Sequence, residues 1–122
     1  MKIEAVSFGG ATATTKLMKF TLTDEASNYI FDFNDCQGLC NNLNFLKGIK
    51  FSTPDRDNDM LGTNCASNYF GGWWFKSCFR IYFNGKYSNG EKVTSRNGIQ
   101  WREFRGVKNS LKETKIMIRR VQ

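Results

Sequence analysis

Three aspartates, Asp55, Asp57 and Asp59, recur at every second position in a stretch that opens Phe51-Ser52-Thr53-Pro54. Carboxylates brought this close repel one another, so folding them into one turn favours a bound cation, and hard oxygen donors of this kind suit calcium. The spacing is not that of an EF-hand, which requires a glycine at the sixth loop position and a bidentate glutamate at the twelfth. Counted from Asp55, those positions hold Met60 and Ala66. The other ligands would then be main-chain carbonyls or water. The competing reading is a solvated acidic turn with no cation.

The second set of reactive side chains is four cysteines in a chain with no histidine. Their spacings, C-x3-C, C-x24-C and C-x12-C, do not match a four-cysteine zinc ribbon, which leaves disulfides and an oxidising compartment. Cys36 and Cys40 could close a local bridge around Gly38. A redox-active pair is the alternative, against which stands the lack of basic neighbours to lower a thiol pKa, and one of the two could also pair with a cysteine outside this chain. Without histidine there is no Ser-His or Cys-His pair. The close aspartates sit where a cation would neutralise them, not where an acid and a base are held apart, so an enzyme is not expected.

These groups must be positioned by a small fold. A chain of 122 residues, 40% hydrophobic and 15% aromatic, supports one domain with a core built from large rings. It has no apolar run of about eighteen residues, hence no membrane-spanning helix, and Met1-Lys2-Ile3-Glu4 does not open a signal peptide. Val6 and Phe8 close a first strand-like run, Gly9-Gly10 supplies a turn, and Leu17 to Leu22 alternate with Met18, Phe20 and Leu22 on one face, which predicts an antiparallel hairpin. Tyr29-Ile30-Phe31-Asp32-Phe33 alternates again, with rings on one side. Leu43, Phe45, Leu46 and Ile49 predict one helical turn or a buried loop, and Trp73-Trp74 a core pair beneath the acidic stretch. Phe79 to Phe83, Asn84-Gly85 and Lys86-Tyr87 predict a second hairpin on a type I′ turn. Glu91 to Arg96 reads as an exposed loop, and Leu111 to Val121 as a closing strand with Ile116 and Ile118 on one face.

Charge is unevenly placed. Residues 1–75 hold six Lys/Arg against eight Asp/Glu, net −2, whereas residues 76–122 hold twelve against three, net +9. An excess of that size attracts polyanions such as sulfated glycans, lipopolysaccharide or nucleic acid, unless it is simply a solvated face.

Phe51-Ser52-Thr53, Asp55-Arg56-Asp57-Asn58-Asp59, Asn64-Cys65-Ala66, Gly72-Trp73-Trp74, Cys78, Asn84-Gly85-Lys86-Tyr87, Asn97-Gly98-Ile99 with Trp101, and Ser110-Leu111-Lys112 running into Thr114 to Arg119 follow one another in fixed order. In that order and spacing they closely resemble the fibrinogen-like (fibrinogen C-terminal) domain of fibrinogen chains, ficolins, tachylectins, angiopoietins and tenascins. The resemblance implies an α+β fold: a short twisted antiparallel sheet, a long irregular calcium-binding region and little helix. It covers the C-terminal portion of that domain. Residues 1–122 are thus expected to be a partial domain without the N-terminal subdomain, residues 51–122 being the calcium- and ligand-binding part.

The resemblance carries Ca2+ ligation onto the side chains of Asp57 and Asp59 and the main-chain carbonyls of Leu61 and Thr63, with Asp55 behind them and waters completing the shell. It pairs Cys65 with Cys78. Beside the metal it places a ligand pocket at Tyr69, the Ser77-Cys78 peptide, which is cis in acetyl-binding members, and Phe79, which stands where those members have histidine. Phe79 keeps an apolar wall but removes a ring N–H donor, so acetyl recognition is weakened or redirected. Fibrinogen's own pocket holds a cationic peptide end with acids, where this chain offers Arg96. The implied protein is a secreted, calcium-dependent recognition module of the innate-immune lectin kind, taking acetylated or anionic glycans. Its partner is a glycan or an extracellular protein, not nucleic acid, and any oligomer would form through regions outside this chain. The alternatives are a receptor- or matrix-binding module of the angiopoietin or tenascin kind, and an inactive remnant.

Overall fold

The computed structural model describes residues 1–94 and 97–120. Strands β1 (Lys2–Ser7), β2 (Thr12–Met18), β5 (Asp35–Gly38) and β8 (Leu111–Met117) form one antiparallel sheet in the order β5-β2-β1-β8. Two two-stranded ladders complete the sheet structure, β3 (Thr21–Leu22) with β4 (Phe31–Asp32) and β6 (Ile81–Tyr82) with β7 (Gln100–Trp101). Helix is confined to single turns: α1 (Asn41–Asn44), α2 (Cys65–Tyr69), α3 (Arg102–Arg105) and a 3-10 turn at Glu25–Ser27. None is long or apolar enough to cross a membrane.

The large sheet buries one face. Ile3, Ala5 and Ser7 of β1, Ala13, Thr15 and Leu17 of β2 and Leu111 of β8 all point inward, as period-two alternation requires. Leu43 and Leu46 join that layer to Phe31, Phe33, Trp73, Phe75, Phe79, Tyr82 and Trp101, so rings make up most of the interior. Many of them meet edge-on, as Phe31 does Trp74 at 5.0 Å and Trp101 does Phe104 at 6.1 Å, the geometry their quadrupoles prefer, while Phe75 and Phe79 lie tilted against Tyr82.

Several sequence expectations fail at strand ends. β2 begins at Thr12 and stops at Met18, because Lys19 turns to φ 53°. Its buried face is Ala13-Thr15-Leu17, while Phe20 is half-buried and Leu22 exposed, so the expected Met18-Phe20-Leu22 face is replaced by its opposite. In the third run Phe31 and Phe33 are buried, but Tyr29, at φ 52°, is 41% exposed. Asn84-Gly85 makes no hairpin: β6 pairs with β7, Ile81 opposite Trp101. A side chain on Gly85 would run into the Gly98 carbonyl, and the Gly98 N–H donates to the Lys86 carbonyl at 2.9 Å, so this glycine serves the close approach of two loops. Glu91 to Thr94 form a loop with Lys92 and Thr94 exposed, as expected, but one tied down at its start. The Ser110 N–H donates to the Glu91 carbonyl at 2.6 Å, Lys92 bridges Asn109, and the Glu91 carboxylate takes the Arg105 guanidinium at 2.7 Å. Arg96 and Val121 lie outside the described residues. Ile116 and Ile118 share a face, but that face is exposed, at 41% and 67%.

Candidate functional site

The acidic stretch is a structured loop held at both ends. Ser52 and Trp73 exchange main-chain hydrogen bonds of 2.8 and 3.1 Å, and the Ser52 hydroxyl accepts the Asn58 N–H at 2.9 Å. The Asn58 side-chain amide donates to the Phe51 carbonyl, and that of Asn64 to the Pro54 carbonyl, each at 2.9 Å. The Asn64 side-chain oxygen also caps α2 by accepting the Ser67 N–H at 3.1 Å. The loop is thereby fixed to the helix that opens with Cys65.

Within it the three aspartates separate by role. Asp55 accepts the Thr53 hydroxyl at 2.6 Å, which holds its carboxyl below the ordinary range. Asp57 accepts the Asp59 N–H at 3.1 Å, and Asp59 accepts Leu61 N–H on one oxygen and Cys65 N–H on the other, both at 2.9 Å. Burial pushes the Asp59 carboxyl up, and the Asp57 carboxylate beside it pushes the same way, against the pull of its two N–H donors. Two carboxylates drawn together, one of them partly desolvated, make a place where a cation relieves repulsion. Neither the Leu61 nor the Thr63 carbonyl accepts a main-chain hydrogen bond among the described residues. No three acidic or cysteine side chains gather among them, so side chains alone do not make a metal site. Two carboxylates with two free carbonyls and water are an all-oxygen donor set that fits calcium. Bound there, the ion would supply charge neutralisation and a rigid loop.

The structure pairs Cys65 with Cys78 and Cys36 with Cys40, and the Ser77-Cys78 peptide is cis. Tyr69, at the end of α2, meets Phe79 edge-on at 4.8 Å. The Tyr82 hydroxyl donates to the Tyr69 carbonyl at 2.9 Å. Tyr69 and Cys78 are half-buried and Ser77 is exposed, but Phe79 is only 3% exposed. Phe79 is thus no open apolar wall. Having no polar edge to keep in water, its ring is packed under Tyr69, Tyr82 and the Arg102 guanidinium, 5.1 Å from the ring centre. The exposed rim of this place is Tyr69 with the Ser77-Cys78 turn. Met60 N–H donates to the Lys76 carbonyl at 2.9 Å, joining that turn to the acidic loop.

The family model for the fibrinogen beta and gamma chains, C-terminal globular domain, matches residues 1–121. The chain belongs to the fibrinogen C-terminal domain family. Among its relatives, microfibril-associated glycoprotein 4 of Mus musculus is 34% identical over 128 residues, covering 98% of this chain and 49% of that protein. Tenascin-R of Gallus gallus is 45% identical over 91 residues, 72% of this chain and 6% of tenascin-R. The solved fibrinogen-like globe domain of human ANGPTL6 superposes with a TM-score of 0.87 at 32% identity, over 93% of this chain and 52% of that one. This fibrinogen-like chain thus spans about half the length of the first of these relatives.

The cations that gather on Phe45 form no motif in the sequence. Lys76 and Arg80 each place a cation over its ring, at 4.7 and 4.4 Å, and Arg102 lies on Phe79 nearby. The only signal was the excess of charge after residue 75, which does not say which side chains converge.

Proposed function

We propose that this fibrinogen-like chain is an extracellular, calcium-dependent recognition module whose ligand is an acetylated or anionic glycan. The observation that carries the reading is the physical continuity of the acidic loop with the Tyr69 to Cys78 rim. Asp59 holds the Cys65 N–H, Cys65 is bonded to Cys78, and Met60 is hydrogen-bonded to Lys76. A cation on Asp57, Asp59 and the Leu61 and Thr63 carbonyls would therefore set the shape of the binding rim. Two disulfides and the names of the relatives, a microfibril-associated glycoprotein and a tenascin, support an extracellular setting.

The test is retention of the oxidised chain on an N-acetylglucosamine matrix in calcium, a chelator wash, and Asp57→Ala in parallel. Release by chelator and loss in the variant are the expected outcome. Passage straight through, with the fold intact, removes the acetyl-glycan reading.

A second reading has its own observation. Phe79 is buried where an acetyl pocket would open, so the rim suits a flat protein surface as well as a sugar. Binding to a matrix or receptor ectodomain that survives chelation would favour it.

A further inference from the structure

We propose that Lys76, Arg80 and Arg102 form an anion subsite, beside the candidate glycan rim, that takes a sulfate or carboxylate substituent of an acidic polysaccharide. The inference rests on the glycan reading and extends it to the class of decoration recognised.

The three cations come from two stretches, Lys76 and Arg80 flanking Cys78 and Arg102 following the other strand of the ladder, and are held together by main-chain bonds and rings. Ile81 pairs with Trp101 in an antiparallel ladder, which places Arg80 opposite Arg102 one step further, and the Arg102 N–H donates to the Arg80 carbonyl at 3.0 Å. Like charges directly opposite across a ladder are unfavourable, and a fold normally answers them with an acid. Here no carboxylate lies within salt-bridge distance of Lys76, Arg80 or Arg102 among the described residues, whose ion pairs are Lys2 with Glu4 and Arg105 with Glu91. The adjacent acid, Glu103, is turned away to accept the N–H groups of Asn41 and Asn42 at the start of α1.

Aromatic rings position the cations instead. Phe45 carries both Lys76 and Arg80, and Phe79 carries Arg102. A ring face orients a guanidinium without neutralising it, leaving its N–H donors available to an oxyanion. The Arg102 Nε is itself buried and without a hydrogen-bond partner, so an anion would meet Arg102 through its two outer guanidinium nitrogens. Lys76 lies between the acidic loop, through Met60, and the Cys78 turn, through its own N–H to the Cys78 carbonyl at 2.7 Å. A sugar seated on the Tyr69 rim would thus meet these cations with a neighbouring acidic group.

The experiment measures affinity of the oxidised chain for dextran sulfate, for a carboxylate-only polysaccharide such as hyaluronate, for neutral dextran and for poly-glutamate. Variants are Lys76→Gln/Arg80→Gln, Arg80→Gln/Arg102→Gln, and the charge-matched control Lys112→Gln/Lys115→Gln on β8. The expected result is binding of at least one acidic polysaccharide and not of dextran. The two site variants should lose about tenfold or more, with the control changed less than about twofold. The sulfated and carboxylated arms then say which substituent the subsite takes. Because Arg102 is partly buried, the Lys76/Arg80 pair decides the matter should the other variant fail to fold. Equal losses in site and control variants, no loss in the site variants, or equally tight poly-glutamate binding would each overturn the proposal. Failure on N-acetylglucosamine with retained, site-dependent binding to dextran sulfate would remove the acetyl reading and leave the subsite standing. The reverse result would do the opposite.

Discussion

Asp59 is the side chain on which the acidic loop closes. Both of its oxygens already accept main-chain N–H groups, so its orientation is set before any cation arrives, and what remains unsatisfied is charge, not geometry. Tyr82 shows the opposite case. Its hydroxyl is committed to the Tyr69 carbonyl and the ring is 1% exposed, so burial pushes its pKa up to about 12 from 10.0. A raised folded-state value favours the neutral form in the fold. The contribution of Tyr82 to stability is therefore complete below pH 10 and is lost as pH climbs through about 12. Spectrophotometric titration of the four tyrosines should show one ionising late and together with unfolding. If no tyrosine ionised late in a folded chain, the buried Tyr82 hydroxyl would be misassigned. Tyr82→Phe should cost about 1 kcal/mol of stability, the worth of one hydrogen bond, and remove the late step.

At the scale of elements, the five residues of α2 connect the acidic loop to the candidate rim at Tyr69, and so short a helix stands on its caps. Asn64 caps it and ties Pro54 into the same corner, while Phe70 ends it at φ 67° and is 61% exposed. Asn64→Ala should therefore cost about 1–2 kcal/mol in thermal or denaturant unfolding, more than a cap alone at a peptide helix. A change under a few tenths would show that the loop is held by Ser52 and Asn58 without it. Much of this corner was legible in the sequence. The order of Asp57, Asp59, Cys65 and Cys78 carried the family, and its fold came with it. The partnering of strands was not legible. Asn84-Gly85 has every local mark of a hairpin turn, and only the approach of Gly98 shows why the chain runs on to pair β6 with β7. Nor did alternation in Leu17 to Leu22 reveal its inward face, because the break at Lys19 is a backbone event that leaves no hydrophobic signature. The burial of Phe79 under Arg102 and the meeting of Arg80 with Arg102 follow from that same non-local pairing, while Lys76 joins Arg80 over the Phe45 ring.

For the whole molecule, the decisive question is whether cation and disulfide act as one staple. The Cys65–Cys78 bridge joins residues 13 apart in sequence, and in the chain-entropy model removing it costs roughly 3 kcal/mol. Calcium at about a hundred times its dissociation constant would add about 2.7 kcal/mol, which for a domain of this size raises the melting temperature by about 10 °C. The two share an atom group, since the N–H of Cys65 is bound by Asp59. If the bridge pre-forms the ligand set, its loss must also weaken cation binding. The calcium-induced rise in melting temperature should then shrink by half or more in Cys65→Ser/Cys78→Ser. It should persist in Cys36→Ser/Cys40→Ser, whose bridge lies on the edge strand β5. A double-mutant cycle with Asp57→Ala separates the terms: coupling of about 1 kcal/mol between Asp57 and the Cys65–Cys78 pair is expected, and none with the other bridge. Identical calcium shifts in all three cysteine backgrounds would mean that the acidic loop organises itself, and that bridge and cation are independent supports. No shift in any of them, with the fold intact, would return the aspartates to the plain reading of a solvated turn.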